Sequence, residues 1–290
     1  QALKPAGTWK PYPTAADRGD WERLPGPVRK AMTDLADEAL KADWPHVPAT
    51  VYLQFSQNGN RTNYEDLHFG RRKILCDLLI GECVEGKGKY LAALLDAIWS
   101  ICEESSWCLP AHVGAQRAGS GLPDTTEPTL DLFASETGAL LAWTVYLLAP
   151  QLESLSPLVL PRIYREVQTR ILEPGLNRDD CWWMGFKERP VNNWNPWINS
   201  NWLACALLLE TDEERRLAAV SKIIRSLDVF LMDYPDDGGC DEGPNYWGRA
   251  GASLFDCLEL LYSASEGQIS AYMDPLVRNI GQYIYRAHIG

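Results

Sequence analysis

Three segments of this sequence hold residue types that can do chemistry at spacings that can be used. The first is DDCWWMGFKERPVNNWNPWINSNW, residues 179–202. Five of the chain's 12 tryptophans (Trp182, Trp183, Trp194, Trp197 and Trp202) fall within 21 residues there. Indole faces bind the C–H face of a sugar, and side-chain amides hydrogen-bond its hydroxyls. Asn192, Asn193, Asn195, Asn199 and Asn201 stand among the rings. Each ring alone also has a core use, pinning a long loop to helices. Rings and amides together point the segment toward ligand binding.

The second segment is YPDDGGCDEGPNYWGRAG, residues 234–251. Gly238-Gly239 permits positive φ and a tight turn. A helix is expected to begin near Tyr246, which places Tyr246, Trp247 and Arg249 in its first turn. A tyrosine there can give or take a proton, and Arg249 can pair with a carboxylate. Asp236, Asp237, Asp241 and Glu242 lack the spacing of a calcium loop and read as turn and helix-start carboxylates. No metal and no cofactor is expected.

The third segment is CEESSWCLPAH, residues 102–112. Glu103 and Glu104 are the sort of carboxylate pair a glycoside hydrolase uses, with the separation setting the stereochemistry. Trp107 and His112 lie on the loop that follows. His68, Arg71 and Arg72 read as a solvated helix face.

These segments need elements to position them. Helical periodicity dominates after a Pro-, Gly- and Trp-rich lead-in at 1–24. Helices are expected at about 27–40, 66–83, 87–105, 129–148, 155–172, 197–209, 211–233, 247–264 and 268–286. Residues 45–62 hold an alternating piece that suits a short strand or an extended loop. Two long polar loops are expected, at 107–128 and 173–196; loops of such length are commonly functional. With almost no strand signal and no fixed period, the fold class is all-α. Antiparallel helical hairpins curling into an incomplete (α/α) toroid fit it best, over residues 25–290.

Composition narrows the function. Lys+Arg 27 against Asp+Glu 39 gives a net charge of -12. A protein that grips nucleic acid by its phosphates is normally basic, so no nucleic-acid partner is expected. No apolar run approaches the roughly 18 residues of a membrane span, so no membrane is expected either. The eight cysteines are scattered singly, with no CxxC or CxxH pair. They read as reduced core thiols, which points to the cytoplasm. The chain starts Gln1-Ala2-Leu3, as a processed or excised chain would, and a removed signal peptide would instead make it periplasmic or secreted.

NNW at 192–194 followed by DGGCDEGPNYW at 237–247 resembles the heparinase II/III-like polysaccharide lyases. Members of that family carry an NNH-type motif and, about fifty residues on, a DG…EG..Y motif. Here Asn193 and Tyr246 lie 53 positions apart. RTNYEDLHFGRRKILCDLLIGEC, SSWCLPAH and DLFASETGALLAWTVYLL also look like that family's helical hairpins. The resemblance spans about residues 25–290. It implies an incomplete α/α toroid followed by a β-sandwich domain, which would lie beyond Gly290 as a partner within the same protein.

The implied reaction is β-elimination on an anionic poly- or oligosaccharide. The proton on C5 of a uronate must be acidified by donors that offset the neighbouring carboxylate. A base must remove it, and an acid must protonate the leaving C4 oxygen. By resemblance, Asn193, with Asn192, neutralises the carboxylate, and Tyr246 is the acid or both acid and base. Trp194 stands where many relatives have His, and His112 is the expected substitute. Trp194, Trp197, Trp107, Arg249 and Glu242 complete the expected binding set. Two alternatives stay open: a glycoside hydrolase on the same toroid using Glu or Asp pairs, and a non-catalytic carbohydrate-binding domain.

Overall fold

A computed structural model describes residues 2–187 and 190–288. Among the described residues every regular element is helical, as the periodicity predicts. The chain divides into two compact units, one of residues 12–171 and one joining 1–11 to 172–290.

The 12–171 unit holds α1 (Arg18–Glu22), α2 (Gly26–Ala39), α3 (Ala49–Tyr52), α4 (Gln54–Asn58), α5 (Thr62–Glu85), α6 (Leu91–Cys102), α7 (Leu132–Leu155) and α8 (Val159–Val167). The lead-in is therefore not extended throughout, since α1 lies inside it. The alternating piece at 45–62 is not a strand. It forms α3 and α4, because an isolated strand has no ladder to satisfy its backbone, whereas a helix satisfies its own. The long loop expected at 107–128 holds only a 3₁₀ turn, Val113–Ala115. Its far end is fixed by Asp131, whose side chain caps α7 by accepting from Ala134 N at 2.8 Å.

Small residues bring α2 and α5 close. A Cβ placed on Gly81 would lie 2.2 Å from Ala36 Cβ. The turn from α5 to α6 closes around the buried Glu82 carboxylate, which accepts from Gly88 N at 2.7 Å and Tyr90 N at 3.1 Å. The expectation that no segment has the length and apolarity of a membrane span is corrected by α7. Its most apolar 18 residues have mean hydropathy 1.4, and 61% of that window is buried within the protein. Threonines, serine and glycine broke up the visible run, while burial of Leu141, Val145, Leu148 and Leu152 makes α7 a core helix. After α8 the chain makes one π turn, Gln168–Leu172.

The other unit holds α9 (Glu173–Asn177), α10 (Trp194–Leu209), α11 (Glu213–Met232), α12 (Pro244–Ala264) and α13 (Pro275–Arg286). The loop expected at 173–196 is shorter, since α9, a 3₁₀ turn at Trp182–Met184 and the start of α10 lie within it. Pro196 sits in the first turn of α10, where a backbone N–H would have no helical acceptor anyway. Helix α10 is apolar or uncharged on every side and is buried nearly all round, packed between α11 and α12. The first residues strap this unit: Lys4 N donates to Ala264 O at 2.8 Å and Trp9 Nε1 to Ser263 Oγ at 3.0 Å.

Six cysteines are buried, Cys181 is half-buried and Cys76 is exposed. Cys76 is thus not the core thiol its apolar neighbours suggested, since it lies on the outward face of α5.

The Gly81–Ala36 contact makes a sharp prediction. Gly81→Ala should lower stability by about 1–3 kcal/mol through overpacking. Urea denaturation with an unchanged slope would register it, and wild-type stability would mean that α2 yields at this contact.

Candidate functional site

In the 172–290 unit the predicted residues gather at the starts of α10 and α12. Asn192 Oδ1 accepts from Trp194 N at 3.1 Å, helping α10 to begin there. Asn193 is buried, and its amide donates to the Glu242 carboxylate just ahead of α12. Tyr246 lies in the first turn of α12 with 47% of its surface exposed. Arg249, one turn further on, places its guanidinium 4.1 Å above the centre of the Trp197 ring. Amide, carboxylate, phenol and guanidinium are thus carried by two adjoining helix starts.

Helix α13 holds this corner in place. Asn279 Nδ2 donates to Asp236 O and Trp247 Nε1 donates to Ile280 O, both at 2.8 Å. Gly238 has φ +79°, and a Cβ there would lie 2.2 Å from the Asn279 carbonyl carbon. The glycine is needed both for its left-handed backbone and for that close approach.

The aromatic and amide residues of 179–202 divide by role. Trp183, Trp197 and Trp202 are buried, and Trp197 is covered by Arg249, so it offers no open stacking face as had been expected. Trp182 and Trp194 are half-buried and lie 5.2 Å apart between ring centroids. Asn195 and Asn199 are framework rather than ligand-facing. Asn195 Nδ2 donates to Trp183 O at 2.8 Å and to Ser226 Oγ at 3.0 Å, and Asn199 Nδ2 donates to Ser226 Oγ at 2.9 Å. Ser226 Oγ in turn donates to Met184 O at 3.1 Å. Buried polar groups of this kind are costly unless paired, and here they join α10, α11 and the 3₁₀ turn.

Trp107 and His112 belong to the 12–171 unit. Trp107 is buried, its indole N–H donating to Ile101 O at 2.9 Å and its ring lying 4.7 Å below the Arg170 guanidinium. It is a support more than an open platform. His112 Nδ1 lies 2.6 Å from Asp131 Oδ2, and the ring stacks on Phe133 at 5.8 Å. Asp131 thereby orients His112 as well as capping α7, a pairing that the separation of the two residues in the chain concealed.

The reading of His68, Arg71 and Arg72 as a solvated face is overturned. The loop after α6 folds over that face. Glu104, with 6% of its side chain exposed, accepts from Arg71 Nη1 at 2.9 Å and from Arg72 Nη1 at 2.8 Å and Nη2 at 2.5 Å. A carboxylate held by two guanidiniums is a structural anion, not the free acid of a hydrolase. Glu166 makes a second clamp, accepting from Arg162 Nε and Arg170 Nε at 2.9 Å each. Arg170 Nη2 then donates to the Glu104 carbonyl at 2.7 Å. Cavities of about 360 and 280 Å³ share Glu103, Glu104, Ser105 and Ser106 in their walls. Trp44 and Tyr64 in the larger and Arg170 in the smaller carry no sequence signal, since each sits in an ordinary helix or linker.

Among the described residues no group of three or more His, Cys, Asp or Glu is arranged to hold a metal ion. No protein-family model matches the chain, and a search of curated proteins gives no match. The site is read from its own chemistry.

Two predictions follow from the buried charges. Glu104→Ala should destabilise the protein by about 3–5 kcal/mol, because it strands two arginines with little solvent; calorimetry or denaturant melts would measure it. His68 is pushed well below the ordinary imidazole value of 6.5, first by burial and then by Arg72 and Arg71, so it is neutral in the fold. Below pH 6.5 the unfolded chain takes up a proton there that the folded chain does not, so this contribution to stability falls as pH falls. Its slope is up to about 1.4 kcal/mol per pH unit. His68→Gln should flatten that part of the stability profile between pH 7 and about 5; an unchanged profile would exclude His68 as its source.

Proposed function

We propose that this chain is the helical toroid part of a heparinase II/III-like lyase that cleaves uronic-acid-containing poly- or oligosaccharides by β-elimination. The observation that carries the reading is the Asn193–Glu242 hydrogen bond linking the starts of α10 and α12, with Tyr246 and Arg249 in the first two turns of α12. The reading draws on residues of this unit alone.

Elimination needs the uronate carboxylate neutralised, the C5 proton removed and the C4–O bond broken. An amide nitrogen has two N–H groups. Glu242 takes one from Asn193 and aims the other, which would donate to the substrate carboxylate. Arg249 would supply the positive charge that lets a second carboxylate approach Glu242. Tyr246, exposed in the first turn of α12, would pass a proton to the departing C4 oxygen. The same tyrosine oxygen, as phenolate, would first take the C5 proton, so that one proton passes from C5 to the C4 oxygen. The C–H electron pair becomes the C4–C5 double bond as the C4–O pair leaves, and the products are an unsaturated uronate and a free hydroxyl. Trp182 and Trp194 flank the same segment and would stack on a neighbouring ring. The net charge of -12 opposes a polyanion at long range, so recognition would depend on these local donors.

The hydrolase reading has less support, since Glu104 and Glu166 are each held by two arginines. The half-open Trp182–Trp194 pair favours a non-catalytic glycan-binding domain as the second reading.

The test is the ultraviolet absorbance of the unsaturated uronate, screened over heparan sulfate, hyaluronan, chondroitin, alginate and bacterial exopolysaccharides. Tyr246→Phe should lower the rate by about 10²–10⁴ without loss of fold. Reducing ends without absorbance would move the assignment to hydrolysis. Binding without either product would leave the glycan-binding reading.

A further inference from the structure

The larger of the two cavities that share Glu103, Glu104, Ser105 and Ser106 has its own chemistry. Its volume of about 360 Å³ is in the range of small-molecule sites. Trp44, Tyr52, Tyr64, Arg71, Glu103 and Ser106 are among its lining residues.

The aromatic part of the wall is rigid. Tyr52 and Tyr64 are buried, meet edge to face at 4.7 Å, and belong to one core cluster with Cys108, Leu109 and Val113. Tyr52 Oη donates to Cys108 O at 3.1 Å. Burial pushes both phenols well up from the ordinary tyrosine value, so both stay neutral.

The charges around the cavity cancel. Arg71 is at least nine-tenths buried, and its guanidinium lies 5.3 Å above the Trp44 ring. Its charge and that of Arg72 are met by Glu104. The exposed Glu103 accepts the Trp99 indole N–H at 2.9 Å. Counting Arg72 behind the wall, two arginines stand against two glutamates.

Donors and acceptors lie side by side. Guanidinium, carboxylate and the hydroxyls of Ser100, Ser105 and Ser106 face one space. The Trp44 indole N–H is buried with no hydrogen-bond partner.

An anion would find both arginines already met by Glu104, and a cation would compete with them for that carboxylate. A purely apolar ligand would cover the polar part of the wall without adding a partner to it. A ring with one apolar face and several hydroxyls, each able to donate and accept, satisfies the whole set.

We propose that this cavity binds a neutral sugar unit. The proposal rests on reading the chain as one that acts on glycans, and it adds neutral residues to a substrate class otherwise defined by uronates.

Saturation-transfer NMR on the whole chain tests it, with glucose, galactose, mannose, N-acetylglucosamine and glucuronate as probes. At least one neutral sugar should receive transfer, and any glucuronate transfer should be unaffected by the cavity variants, since the proposed uronate site lies at the starts of α10 and α12. Trp44→Ala and Glu103→Gln should each weaken the neutral sugar by about tenfold; the second alters an exposed side chain, so a folding defect in the first leaves the test intact. Tyr246→Phe should leave this binding unchanged, which separates it from elimination. If no neutral sugar binds, if the cavity variants weaken glucuronate as much as the neutral sugar, or if both cavity variants bind the neutral sugar like wild type, the assignment is wrong. Sugar binding without any elimination product would remove the lyase chemistry and keep this site.

Discussion

A carboxylate taken out of water organises the 12–171 unit. Burying Glu104 is unfavourable by itself, and becomes tolerable only because Arg71 and Arg72 meet it from α5. That requirement sets the path of the loop after α6. Arg170 adds a restraint from the π turn, donating to the Glu104 carbonyl while covering Trp107. Its own orientation depends on Glu166, which Arg162 also grips. The loop is thus held from α5 and from the α8 end, and the two cavities that share it inherit rigid walls. Pre-set walls matter to a ligand site, since groups already ordered cost little to order again on binding.

The 172–290 unit achieves the same result without charge. Asn195, Asn199 and Ser226 form a buried amide and hydroxyl network that locks α10 to α11 and to the 3₁₀ turn. Such a network fixes rotation and register, because sliding α10 by one residue would leave every member unpaired. Asn193 sits just ahead of that locked helix, so its amide arrives at Glu242 with little freedom. From the other side, α13 pins the 236–247 segment through Asn279 and Trp247. Tyr246 and Arg249 therefore project from a helix whose start is held at two points.

Trp194 shapes the proposed chemistry. A histidine there could accept a proton; an indole cannot, and it can only donate or stack. Its ring pairs with Trp182 instead. In the proposed reaction the burden of proton transfer then falls on Tyr246, and the aromatic pair serves to place the sugar. Within the other unit, His112 is oriented by Asp131, which is itself fixed as the cap of α7.

Although α1, α3, α4 and α9 were not, the longer helices and the long loop after α6 were legible in the sequence. They depend on local physics: apolar spacing, cap residues, and glycine where the backbone turns left-handed. Gly238 could be recognised as a turn residue, but not its contact with α13, because that neighbour lies about forty positions along the chain. The fate of polar side chains was decided only by tertiary structure. Asn195 and Asn193 look alike as residues two apart, yet one is framework and the other meets a carboxylate. Arg71 and Arg72 look like solvent residues on α5 until Glu104 folds over them. Periodicity states which side of a helix is apolar, but not which distant polar group will cover the other side. Pairing of charges across long sequence separations is settled by how the helices pack.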